Sequence, residues 1–189
     1  MNDEDLMLYL WEIEEQCRYA KKAWRDAQTK NYDLQWYSVQ AFLVAIANIS
    51  KFLWPTKKGD PERGKQLRKA LGVDDTHPFK SRSMRDSFEH SDDRLDSWRA
   101  TVGRGLHLGR ISIQGGHGTL GDSHYARYFE LDSGLLTFYG EKYDLKQMAL
   151  ESEKLYAKSM LITAGWMKST DNASHVQSVN SETKSEDTP

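Results

Sequence analysis

The stretch Arg85-Asp86-Ser87-Phe88-Glu89-His90 places a guanidinium and an imidazole within six residues of one another. A guanidinium grips oxyanions through a planar fork of donors, and an imidazole exchanges protons near neutral pH, so the two types together are the parts of a metal-free reaction centre. The competing use is a solvated helical face. There Arg85 and Glu89 would form an i,i+4 pair worth a few tenths of a kcal/mol.

The element that must position these groups is a long helix. Periodicity predicts it from Asp75 or Thr76, with Pro78 near its first turn, to about Ala100. Its apolar stripe is Met84, Phe88, Leu95 and Trp98, with Ser91 filling the gap. Successive helical residues turn by about 100°. Arg85 and His90 then fall on opposite flanks of the stripe, with Asp86, Glu89 and Asp93 between them, so none of these polar groups faces the helix's own core.

Two helices should precede it. Leu6, Leu10, Ile13, Cys17, Ala20, Trp24 and Ala27 alternate in steps of four and three over residues 5–29, and Val39, Phe42, Leu43, Ile46, Ile49 and Leu53 form the buried side of a second helix over 33–54, until Pro55 stops the run. The short connection favours an antiparallel pair. A shorter helix fits Pro61 to Leu71, with Gly72 at its end. Around it the basic residues Lys57, Lys58, Arg63, Lys65, Arg68, Lys69, Lys80, Arg82 and Arg85 outnumber the acids. They read either as a solvated surface or as a rim that attracts phosphate.

From Thr101 the texture changes to VGRGLHLGRISIQGGHGTLG, a Gly-rich loop with a short strand expected at Ile111 to Gln114. The run is not a phosphate-binding P-loop, because it follows a helix and lacks the Gly-Lys-Ser/Thr ending. YARYFELDSGLLTFYGEKY then reads as a hairpin around Asp132-Ser133-Gly134. Residues 144–168 return to helix, with Asp144 as N-cap and Met148, Leu155, Ile162 and Trp166 at compatible positions. The expected organisation is one domain over 1–169, in which 101–143 is an insertion into a helical bundle, and a polar, disordered tail over 170–189.

Composition narrows the function classes. At 189 residues the chain can bury one sizeable core, and a formal net charge of -2 argues against a globally basic nucleic-acid binder while permitting a local basic patch. The acidic start and the absence of a long apolar run predict a cytoplasmic protein without membrane spans. Cys17 is the only cysteine, which excludes an intrachain disulfide, and its place in a helical seam predicts an inert buried thiol. His107, His117 and His124 lack paired carboxylates at ligand spacing, so no metal site or cofactor is expected. Trp36, Trp54 and the hairpin tyrosines could stack on bases, but packing is the more natural use.

An Arg, a polar neighbour and a His after four intervening residues, set in a long helix of an all-α bundle, resembles the signature of the HEPN superfamily. Asp93-Arg94-Leu95 and Trp98 also look familiar from such helices, and a looser resemblance runs over residues 3–169. The signature allows four to six intervening residues, and Arg110 to His117 fits it with six, but that pair lies in the Gly-rich run, so helical context singles out Arg85 and His90. The fold that the resemblance implies is mainly α, an antiparallel HEPN-like bundle of four to five helices with the Gly-rich loop and β-hairpin inserted before the last one.

Many HEPN proteins are metal-independent endoribonucleases, often toxins or phage-defence effectors. In that role His90 would act as base or acid, Arg85 would hold the phosphate, and Asp86 would orient the imidazole; Lys80, Arg82, Arg94 and Arg99 would contact RNA and offset Glu89, Asp92, Asp93 and Asp96. The products would be a 2',3'-cyclic phosphate and a 5'-hydroxyl. The implied partners are the RNA substrate, a second copy joined through the Arg85/His90 helix, and an antitoxin or other regulatory protein. HEPN toxins paired with a nucleotidyltransferase antitoxin often carry Tyr two residues after the His; Asp92 stands there instead, which argues against that form of control. The alternative is a non-catalytic HEPN-like module that binds a nucleotide, an RNA or a protein partner.

Overall fold

In a computed structural model, which describes residues 2–56, 60–81, 90–102, 108–113 and 125–183, the chain is mostly helical with one small sheet. Helix α1 spans Asp3–Ala27 and α2 spans Tyr32–Leu53. Asn2 accepts the Asp5 N–H at 2.7 Å and Asn31 accepts the Leu34 N–H at 3.0 Å, so each helix begins on an Asn cap. Gln35 donates to the carbonyls of Ala27 and Thr29 and ties the short turn between them. The two helices pack antiparallel, and Leu10, Ile13, Ala20, Phe42, Leu43, Ile46, Ile49 and Leu53 are buried as their periodicity predicts.

Helix α3, Pro61–Leu71, starts on Asp60 with Pro61 in its first turn and ends at Gly72 in the left-handed region. It crosses the end of α2 so closely that a Cβ on Gly64 would lie 2.8 Å from the Leu53 carbonyl oxygen and collide with the Pro55 ring. Arg68 donates to that carbonyl and stacks over Trp54.

The long third helix expected from Asp75 or Thr76 to Ala100 does not form as one element. Pro78–Lys80 is a single 3-10 turn, Ser81 is non-helical, and His90 stands outside the separate helix Ser91–Val102. The cause is local competition for backbone donors: Asp74 accepts the Thr76 N–H at 2.8 Å, and His77 Nδ1 accepts the Phe79 N–H at 3.3 Å. Phe79 is fully buried, and its carbonyl accepts the Ser50 hydroxyl at 2.6 Å.

Helix α4, Ser91–Val102, buries Trp98 but leaves Leu95 41% exposed, so these two members of the expected stripe do not share a core; Met84 and Phe88 lie outside the described residues. Trp98 instead approaches Tyr139, and Arg94 donates to Glu141 at 3.0 Å. The short helix therefore sits against the sheet.

The sheet has the order β1 (Leu108–Ile113), β2 (Tyr125–Glu130), β3 (Leu135–Phe138) and β4 (Glu141–Asp144). The first pair is parallel and the other two are antiparallel. The hairpin at Asp132-Ser133-Gly134 forms where the sequence places it. Tyr139 and Gly140, both at positive φ, make a second two-residue turn that adds β4. Phe129, Leu136 and Phe138 from this sheet join the core built by α1 and α2.

Helix α5, Leu145–Thr183, starts with the Asp144 carboxylate accepting the Gln147 N–H at 2.8 Å and runs beyond the end expected near Lys168. It packs antiparallel on α1. Ser159 donates to the Leu10 carbonyl at 3.1 Å, Thr163 donates to the buried Glu14 carboxylate at 2.9 Å, and Trp11 meets Trp166 edge-on. No helix among the described residues is long and apolar enough to cross a membrane.

Candidate functional site

His90 is exposed and stands at the cap of α4, where its carbonyl accepts the Arg94 N–H at 3.0 Å. Arg85, Asp86 and Arg82 lie outside the described residues, as do His107, His117 and His124. The expectation that His90 occupies a helix interior is corrected: it is a turn residue directly before Ser91, the first residue of α4. That position changes the meaning of the neighbouring acids. Asp92 and Asp93 occupy the first turn of α4, where carboxylates offset the partial positive charge of the exposed backbone N–H groups.

Two of the four cations named for RNA contact already hold carboxylates. Lys80 Nζ is 3.2 Å from Asp75 Oδ2, and Arg94 is 3.0 Å from Glu141 Oε1. All four groups keep a third or more of their side-chain surface in solvent, so each pair is worth little and a phosphate could displace the carboxylate. Arg99 is exposed near the end of the same helix, which brings Arg94, Arg99 and His90 onto one element.

A second cluster carries titratable groups that no sequence motif connects. The loop after α3 faces α5 across a cleft of about 260 Å3 lined by Asp74, Thr76, His77, Glu151, Lys154 and Lys158. His77 Nδ1 is occupied by the Phe79 N–H, so the proton of the neutral ring sits on Nε2, 3.6 Å from Glu151 Oε2. Burial pushes His77 below the usual imidazole value, while Glu151 and Asp74 pull it upward. Glu151 also accepts from Lys154 at 2.8 Å and Gln147 at 3.0 Å. Lys158 donates to the Leu71 carbonyl at 2.9 Å and closes the C-terminus of α3.

The two acids beside this loop are held below the usual carboxylate range. For Asp74 the main cause is the Thr76 hydroxyl, and for Asp75 it is the Trp54 indole N–H, followed by Lys80. Trp54 is thus a packed side chain with a polar anchor, and Trp36 is buried as well, in keeping with packing over base stacking. The cluster is a tie between the loop and α5, since every polar group in its centre already has an intrachain partner.

Cys17 is buried between α1 and its neighbours, and burial, reinforced by Glu14, pushes its thiol up to about 12. It is not a nucleophile at neutral pH. Among the described residues no group of three or more His, Cys, Asp or Glu side chains is arranged to hold a metal ion. No family model, no curated protein and no solved structure matches this chain.

Proposed function

We propose that the chain is a metal-independent endoribonuclease of HEPN type, with Arg85, Asp86 and His90 as its reaction centre. The observation that carries the reading is the exposed His90 at the cap of α4, one residue beyond the segment that holds Arg85 and Asp86 and on the element that carries Arg94 and Arg99. In the reaction, the 2'-hydroxyl of a ribose attacks the adjacent phosphorus, and the bond to the 5'-oxygen breaks. One imidazole takes the proton from the 2'-hydroxyl and another supplies a proton to the leaving oxygen, while guanidinium groups hold the phosphorane oxygens. Two imidazoles at one phosphate require two copies of the chain, which is why pairing of motif segments belongs to this proposal. Toxin or defence biology follows only from the same resemblance.

A non-catalytic binding module is the second reading, favoured by the exposed acids Asp92, Asp93 and Asp96 beside His90, which suit a protein partner better than RNA. Incubation of the purified protein with RNA in EDTA separates the two. The ribonuclease reading expects cleavage to 2',3'-cyclic phosphate ends, lost by at least about a hundredfold in His90→Ala and Arg85→Ala. Absence of cleavage, or cleavage unchanged in both variants, overturns it.

A further inference from the structure

The outer face of α2 is unusual for a helix in a chain with 29% charged residues. Asp33 and Lys51 are its only charges, one near each end. Between them lies a groove of about 520 Å3 shared with α1, lined by Gln16, Tyr19, Tyr37, Ala41, Val44 and Asn48, every one uncharged. Tyr37 is 73% exposed, Tyr19 52% and Val44 47%. A helix that is apolar on its inner side and carries large uncharged groups on its outer side is one whose burial is incomplete in the single chain.

The arrangement along this face is symmetric. With about 100° per residue, Asp33, Tyr37, Ala41, Val44, Asn48 and Lys51 fall within about 40° of one line. The two charges lie nine positions either side of Phe42. A second α2 laid antiparallel with its centre at the same place would set Asp33 against Lys51 at both ends and, one position off that register, Val44 beside the small Ala41 and Tyr37 beside Asn48. Small residues at the centre permit close approach of the backbones, and no like charges meet at the axis.

We propose that this face of α2 is a two-fold interface and that its occupant is a second copy of this chain. The argument uses only the charge pattern and shape of α2 and is independent of the ribonuclease reading. Asp33 also accepts Arg110 at 2.9 Å, yet its side chain remains 88% exposed and can serve both cations.

The test is the solution mass of the full chain by light scattering or sedimentation, over a concentration series, with helicity followed by circular dichroism. Wild type is expected at twice the chain mass at tens of micromolar. Val44→Glu places like charges at the axis and should raise the dissociation constant by at least about tenfold with helicity unchanged. Lys51→Asp should weaken the pair, and the swap of both charges, Asp33→Lys with Lys51→Asp, should restore it. A monomeric wild type, a Val44→Glu protein that still dimerises as wild type does, or a double swap that restores nothing would each overturn the proposal.

Discussion

His77 faces Glu151 across 3.6 Å, and this pair joins the loop that follows α3 to the first half of α5. The ring is held mostly out of solvent, and its other nitrogen caps the 3-10 turn, so the folded chain favours its neutral form.

The pH dependence of stability follows from that preference. Burial lowers the folded-state pKa of His77 below 6.5, so below that pH the unfolded chain binds a proton that the folded chain resists. Stability contributed by the neutral ring is complete above pH 6.5 and declines as the pH falls through the window beneath it. Glu151 and Asp74 oppose the decline, while Lys154 and Lys158 reinforce it. Urea midpoints measured between pH 7.5 and pH 5.5 should fall for wild type and fall less for His77→Asn, which keeps a cap without a titrating ring. Equal slopes would show that His77 is not the group responsible.

Gly64→Ala tests the approach of α3 to the end of α2. Alanine should favour a helix interior by up to about 1 kcal/mol over glycine, but its methyl would collide with Pro55 and the Leu53 carbonyl. Backbone and a proline ring yield little, and overpacking of this kind costs about 1–3 kcal/mol. Chemical denaturation should therefore show net destabilisation, and a stabilised variant would mean that the crossing is looser than described.

Trp98 is the only buried side chain of α4, and it rests against the turn that contains Tyr139. Trp98→Ala should release α4 locally while the α1–α2 core stays intact. Hydrogen exchange should then show lost amide protection over 94–102, with protection over 36–50 unchanged. Global unfolding of the variant would place Trp98 in the main cooperative unit instead.

Glu141→Gln removes the charge that holds Arg94. If Arg94 meets a phosphate, RNA should bind more tightly to this variant at low salt, and Arg94→Gln should lower the slope of log affinity against log salt by about 0.7 for a single strand. Binding titrations at several salt concentrations give both quantities. Identical slopes in Arg94→Gln and wild type would remove Arg94 from the RNA surface.

Much of this architecture is legible in the sequence because local signals agree. The four-three rhythm of Leu10, Ile13, Cys17 and Ala20, the Asp60-Pro61 start and Gly72 stop of α3, and the Asp132-Ser133-Gly134 turn each point one way. Legibility fails from Asp74 to Ser81 and again at His90. There the spacing of Met84, Phe88, Leu95 and Trp98 suggests one helix, while the side chains of Asp74 and His77 draw the early backbone donors away from it. The Tyr139-Gly140 turn is harder to see, since tyrosine seldom takes a positive φ and β4 depends on it. The His77–Glu151 cleft has no sequence signature at all: its members are brought together by the packing of α3 and α5. Arg85 and Asp86 rest on motif context, and only His90 of that trio has a described position.

The silence of Cys17 has a practical side. With one native cysteine, fully enclosed and holding its proton far above neutral pH, the chain is a ready host for thiol-directed labels. A cysteine placed beside Tyr37 or His90 would be the sole site to take a dye or spin label. Distances between copies could then be measured on the otherwise natural sequence, with the resident sulfur left where it is.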